Sequence, residues 1–340
     1  MPTDSRQLDI VRLVCGVMVS FTLAMLIAWP MAYLSTIATC ILLASRKNIT
    51  VVMALAVTVV VAMLVNVCYW LFNWLGNFPL TMLLGLFIGC YVSFYRAANG
   101  GSKIITLIAV FAIIMIPTSY NISPDLSWVV SKWLIINTLI GFMVTTLTIL
   151  VVPIDPNLSQ TPDNISLGSL QAHKRALELS LAVLPVIGFF WLTNSTDVLL
   201  LVFTTLFVHR LVESPSLRFQ VTLGYLLANI AGGAVAVMAY ELLVMSPNLP
   251  FMLALFLTCF TLLTLKAFSD EKQTVLAFTA VNSFVALMGA TLLFNTSDSE
   301  VAYLDRLLQI GTIGGYLIIF FALYEWFTRQ MRRFRRVPQS

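Results

Sequence analysis

Charge is what this sequence has least of. Only 10% of its 340 residues are Asp, Glu, Lys or Arg, where an ordinary soluble domain carries about a quarter. With 59% hydrophobic residues and a mean hydropathy of +0.94, the chain has the bilayer as its main solvent. Cysteine pairing is absent as well. Cys15, Cys40, Cys68, Cys90 and Cys259 all lie inside apolar runs without CxxC or Cys/His spacing, which excludes a disulfide framework and a zinc site. Catalytic motifs are missing too: there is no HExxH, no GxSxG and no GxxxxGK[ST]. Gly100-Gly101-Ser102-Lys103 has the wrong spacing for a phosphate loop and reads as a turn. The expectation is a protein that is not an enzyme and uses no cofactor or metal.

What the sequence does have is long apolar runs. They are continuous rather than alternating, and only helices or closed barrels satisfy backbone polar groups in lipid, so the spans are helices. Splitting at charges, prolines and Asn/Gly/Ser clusters gives an all-α integral membrane protein of about twelve transmembrane helices. The first set covers 13–29, 31–45, 49–72, 79–95, 104–120 and 133–152. The second covers 177–193, 197–208, 219–243, 251–268, 274–294 and 307–328. Pro30 leads the first run straight into another, so 13–29 reads as a retained helix rather than a signal peptide.

Basic residues concentrate on the cytoplasmic side of membrane proteins. With the N-terminus inside, Arg6, Arg12, Arg46, Lys47, Arg96, Lys103, Lys174, Arg175, Arg210, Arg218, Lys266 and Lys272 all fall on that side. So do the arginines of the tail 329–340, which read as an orientation signal and anionic-lipid contact and not as a nucleic-acid site. Lys132 and Arg306 fall outside. Both termini are therefore expected in the cytoplasm.

The two sets look like one repeat. A gapless shift that places Arg12 on Arg175 also places Arg46-Lys47 on His209-Arg210 and Asn66 on Asn229. Later, Pro79 meets Pro250, and Lys132 meets Arg306 at the start of the sixth helices. An even number of crossings gives both halves one orientation, so these are two parallel six-helix repeats about an axis along the membrane normal. The organisation is 1–152 for the first repeat, 153–174 for a Pro-containing cytoplasmic linker, 175–328 for the second repeat and 329–340 for the tail.

Unusually short hydrophobic segments at matching positions of two repeats point to a substrate cavity. The second helix of each half falls short of the roughly 20 residues needed to span. Its polar atoms are Thr36 and Thr39, beside Ser35, in one half and Thr204 and Thr205 in the other. They line a path, or else they bond back to their own helix carbonyls. Asn66 and Asn229 sit deep in the third helices, where an unpaired amide costs roughly 2–7 kcal/mol; each meets substrate, water, its counterpart or a neighbouring helix. Lys132 and Arg306 either draw an anion to the external mouth or snorkel to headgroups. Asn137 and Gly141 lie about 140° and 180° around their helix from Lys132, leaving a small-residue stripe free to pack. Arg12 and Arg175 mark the cytoplasmic mouth. Glu178 is the proton-coupling candidate, with an i,i+3 ion pair to Arg175 as the plainer alternative.

The basic residue opening the first helix of each half (Arg12, Arg175) and the tight turn Trp29-Pro30-Met31-Ala32-Tyr33 form part of a pattern. A basic turn before the third helix and the sixth-helix run Arg306-Leu307-Leu308-Gln309-Ile310-Gly311-Thr312-Ile313-Gly314-Gly315, with its Lys132 counterpart, complete it. Over nearly its whole length the chain resembles the fusaric acid resistance and aromatic acid exporter superfamily. That resemblance implies an inner-membrane efflux permease of a Gram-negative bacterium, moving small organic or aromatic acids with a periplasmic adaptor of the membrane-fusion type. Plant aluminium-activated malate channels look like distant relatives built from six-helix subunits. Exporters of this kind usually carry a large cytoplasmic domain between the halves, where this chain has only the linker. Two other functions stay open: a passive anion channel, and a non-transporting scaffold. A major-facilitator carrier is disfavoured because Ser45-Arg46-Lys47-Asn48 lacks the Gly-x-x-x-Asp-Arg loop. Expected partners are membrane lipid, the organic anion, the adaptor and a second copy of the chain in a homo-oligomer.

Overall fold

The computed structural model describes residues 3–46, 48–154, 168–193, 219–269 and 274–293, with 315, 316, 319 and 323. Among these residues there is no strand, and the chain forms ten helices: α1 (Thr3–Ile27), α2 (Tyr33–Ala44), α3 (Val51–Leu75), α4 (Pro79–Ala98), α5 (Lys103–Ile122), α6 (Pro124–Val151), α7 (Ser169–Thr193), α8 (Phe219–Met245), α9 (Leu249–Ala267) and α10 (Thr274–Leu293). Seven of them, α1, α3, α4, α5, α6, α8 and α9, are long and apolar enough to cross a membrane. The expected span at 197–208 lies outside the described residues, and of 307–328 only 315, 316, 319 and 323 are described, all helical.

Local chemistry explains the boundaries. Pro79, Pro124 and Pro250 stand in first turns, where a missing N–H costs nothing. Thr50, Ser123 and Asn248 cap α3, α6 and α9 by accepting from Met53 N–H, Leu126 N–H and Phe251 N–H. The Ser123 cap and Pro124 start α6 well before the apolar run expected from 133. Likewise α1 starts at Thr3, nearly three turns ahead of the run, and this added stretch brings Asp9 and Arg12 inside the fold.

Three helices are enclosed. Nearly all of α2 is buried, as are residues 106–119 of α5 and 279–288 of α10. In contrast α3 and α4 turn large apolar side chains outward, with Val52, Trp74 and Leu80 about four-fifths exposed at 77%, 81% and 83%. Surface of that kind is stable only against lipid.

α2 packs against α6, α1 and α10; α5 packs against α6, α3 and α4; α10 packs chiefly against α8 and α9. α7 lies along α4, where Tyr91 Oη meets His173 Nδ1 at 2.5 Å and the Tyr95 ring stacks on His173 at 4.3 Å. Phe21 of α1 stacks on Phe256 of α9 at 3.7 Å, and Phe256 in turn meets Phe284 of α10.

Candidate functional site

The polar groups of the enclosed helices are mostly paired with helix carbonyls. In α2, Ser35 Oγ donates to Ala32 O at 2.7 Å, and Thr39 Oγ1 donates to Ser35 O at 2.9 Å with Gly141 O at 3.4 Å. Ser20 of α1 reaches Ser35 Oγ and Thr36 Oγ1 at 3.5 Å each. These hydroxyls are buried and hold α1, α2 and α6 together. A cavity of about 50 Å³ lies on another side of α2, walled by Leu34, Ile37, Ile41, Phe111, Asn137 and Thr138. It is well below the roughly 150 Å³ that holds a benzene ring.

One end of the bundle concentrates charge. Arg12 and Asp9 are buried and in direct ion-pair contact, as their i,i+3 spacing on α1 allows. Arg12 Nη1 also reaches Pro153 O at 3.4 Å, just beyond the end of α6. Arg46, in the α2–α3 turn, places Nε 2.9 Å from the other Asp9 oxygen and its guanidinium carbon 5.1 Å from the Phe268 ring centroid. It does so from a left-handed backbone, φ 53°, which costs a non-glycine residue about 1 kcal/mol or more. A single carboxylate thus gathers α1, the α2–α3 turn, the end of α6 and the end of α9.

The opposite end is organised by Asn137. Its Oδ1 accepts from Trp29 Nε1 at 2.8 Å, while its Nδ2 donates to Trp133 O at 2.8 Å and to Pro30 O at 3.3 Å. The clamped turn contains two left-handed non-glycine residues, Ala28 (φ 49°) and Met31 (φ 57°). One turn further along α6, Gly141 packs on Ser35 and Ala38 of α2.

The other sequence candidates scatter. Asn66 is on the exposed face of α3 and donates to Ala62 O at 2.8 Å. Asn229 is buried on α8, donates to Tyr225 O at 2.9 Å, and receives Ser283 Oγ on its main-chain oxygen. The two amides therefore do not meet. Lys132 is exposed, with its ammonium 5.8 Å from the Trp133 ring centroid. Burial lowers the Arg175 pKa from its ordinary value, and the charge of Glu178, one turn on, works the other way. Thr204, Thr205 and Arg306 lie outside the described residues.

Sequence reasoning passed over Asp9, Asn282 and the bond made by Asn137. Asp9 was signalled by its spacing from Arg12, and Asn282 by being an amide in the middle of an apolar run. Among the described residues no group of three or more His, Cys, Asp and Glu side chains comes together as a metal site, and all cysteines are free thiols.

Helices of this length and apolarity, enclosing three buried ones, define an all-helical membrane-spanning protein. Residues 9–152, from the buried Asp9 to the end of α6, are similar to a family described as "Protein of unknown function (DUF2955)". No curated protein and no solved structure matches the chain.

Proposed function

We propose that this protein is an inner-membrane efflux permease for small organic or aromatic acids, built as two parallel six-helix repeats with both termini in the cytoplasm and a periplasmic adaptor as partner. The observation that carries the reading is a matched set of helix contacts. α4 packs on α7 as α9 packs on α1, and α5 packs on α7 as α10 packs on α1. Within each half, the third helix packs on the fifth (α3 on α5, α8 on α10) and the fourth packs on the fifth (α4 on α5, α9 on α10). These are the pairings a twofold relation between halves requires, and such a relation in a membrane bundle goes with alternating access around a midplane site.

The short α2 supports the same reading, because it is enclosed by α1, α6 and α10 at the junction of the two halves. The cavity beside α2, at about 50 Å³, admits no aromatic acid without helix movement, as the alternating access of a carrier entails. Arg12 and Arg46 form the basic inner end, held by Asp9. The test is flux of weak acids such as hydroxybenzoate through vesicles containing the purified protein. The reading predicts uptake or release above protein-free vesicles that saturates with acid concentration, and absence of flux under any pH gradient or potential removes it.

A further inference from the structure

Asn66, Asn137 and Asn229 each donate their side-chain amide to the carbonyl four residues earlier in their helix, at 2.8, 2.8 and 2.9 Å. Asn282 does not follow them. It lies midway along α10 and is 5% exposed, and its Oδ1 is buried with no hydrogen-bond partner among the described residues. A buried amide without a partner is costly, more so in a bundle surrounded by lipid. Asn282 Oδ1 is thus an acceptor held inside the bundle with no donor among the described residues.

Helix geometry says where it points. Gly289 is seven residues on, within about 20° of Asn282 around the helix, and a Cβ on Gly289 would meet the Tyr33 Cβ of α2 at 2.6 Å. Ala280, Ser283 and Leu287 lie about 100–160° away, and these touch α8 through Gly232, Asn229 and Gly233. Phe284, turned about 160° in the other direction, meets Phe256 of α9. Asn282 is thus on the side of α10 that faces α2.

The two helices run antiparallel there. Tyr33, at the start of α2, meets Gly289 near the end of α10, whereas Arg46 and Phe268 bring the end of α2 to Phe278 near the start of α10. Counting about 10 Å back from Gly289 puts Asn282 level with Cys40 and within about a turn of Thr36. This is near the middle of the enclosed bundle, between the short helix and the second half.

We infer that Asn282 is the hydrogen-bonding anchor for the acid group of the transported molecule, at the contact between α2 and α10. The inference rests on the transport reading above. An amide offers one acceptor and two donors, so the unpaired Oδ1 accepts the O–H of a protonated acid group while Nδ2 donates to that group's carbonyl oxygen. Neutral itself, the amide makes a contact that a protonated acid group can leave. Tyr33, which meets Gly289 across this contact, offers its ring to the body of a small organic acid.

The experiment compares the full-length protein with Asn282→Leu and Asn282→Gln in detergent or nanodiscs, measuring 4-hydroxybenzoate binding and thermal unfolding without ligand. Leucine removes the unpaired amide at similar volume, so the inference predicts a raised Tm together with acid affinity reduced by at least about 10-fold. Glutamine keeps the chemistry and retains measurable binding. A lowered Tm for Asn282→Leu means that the amide serves the fold, and it overturns the inference. So does unchanged acid affinity, in which case wild-type binding leaves the transport reading standing. If the wild-type protein binds no organic acid, both fall together.

Discussion

The indole N–H of Trp29 donates to Oδ1 of Asn137 at 2.8 Å, joining residues far apart in sequence at the turn between α1 and α2. Because Asn137 also holds Pro30 O and Trp133 O, it fixes a turn whose backbone is strained at Ala28 and Met31. Replacing Asn137 with Ala leaves the Trp29 N–H buried without its acceptor and frees that strain. The expected cost is about 2 kcal/mol. A double-mutant cycle with Trp29→Phe, read by thermal unfolding, should show a coupling near 1 kcal/mol, within the range for interhelical hydrogen bonds in membranes.

Asp9 is the carboxylate that makes the buried Arg12 tolerable. Asp9→Asn strands the guanidinium and should cost about 3–5 kcal/mol, whereas the double variant Asp9→Asn with Arg12→Met should recover most of it. Arg46, which is partly solvent-exposed, matters less: Arg46→Ala should cost about 1 kcal/mol or less. Melting temperatures of the four proteins in one detergent test this order.

Two helix glycines give a paired prediction. A Cβ on Gly232 would stand 2.1 Å from Ala280 O, so Gly232→Ala forces α8 from α10 and should destabilise by about 1–3 kcal/mol. A Cβ on Gly188 of α7 meets nothing within 4 Å. Gly188→Ala should match the wild type or gain up to about 1 kcal/mol from helix propensity. Unfolding of the two variants side by side checks this.

Much of the fold is written in the sequence. The α2 limits follow from Pro30 and the Ser45–Asn48 turn, and prolines open α4, α6 and α9 where a missing donor is free. The starts of α1 and α6 were harder to read because polar residues precede the apolar run there. What apolarity hides is direction. α3 is apolar all round, so no periodicity distinguishes the exposed side of Asn66 from the buried side of Val65, whereas the repeat made Asn66 look equivalent to Asn229. The hydroxyls of α2 were legible as candidates, but their bonds to helix carbonyls depend on rotamer and packing. Likewise the Asp9–Arg12–Arg46 cluster needs a left-handed turn at Arg46 that its sequence does not announce.

Asn66 provides a control for Asn282. Its side chain is exposed on α3 and, among the described residues, bonds to Ala62 O. Asn66→Leu should therefore leave acid flux unchanged and favour membrane insertion, since leucine is the better residue against lipid. Quantifying inserted protein and flux per inserted molecule tests it.

Transport itself is the central claim, and flux through vesicles bearing the purified full-length chain tests it most directly. A panel of weak acids, including hydroxybenzoate and a neutral analogue of similar size, is offered with and without a pH gradient and a membrane potential. The account predicts saturable movement of one or more of the acids, little movement of the neutral analogue, and loss of flux in Asn282→Leu but not in Asn66→Leu. Acid movement no faster than in protein-free vesicles under every gradient would contradict it.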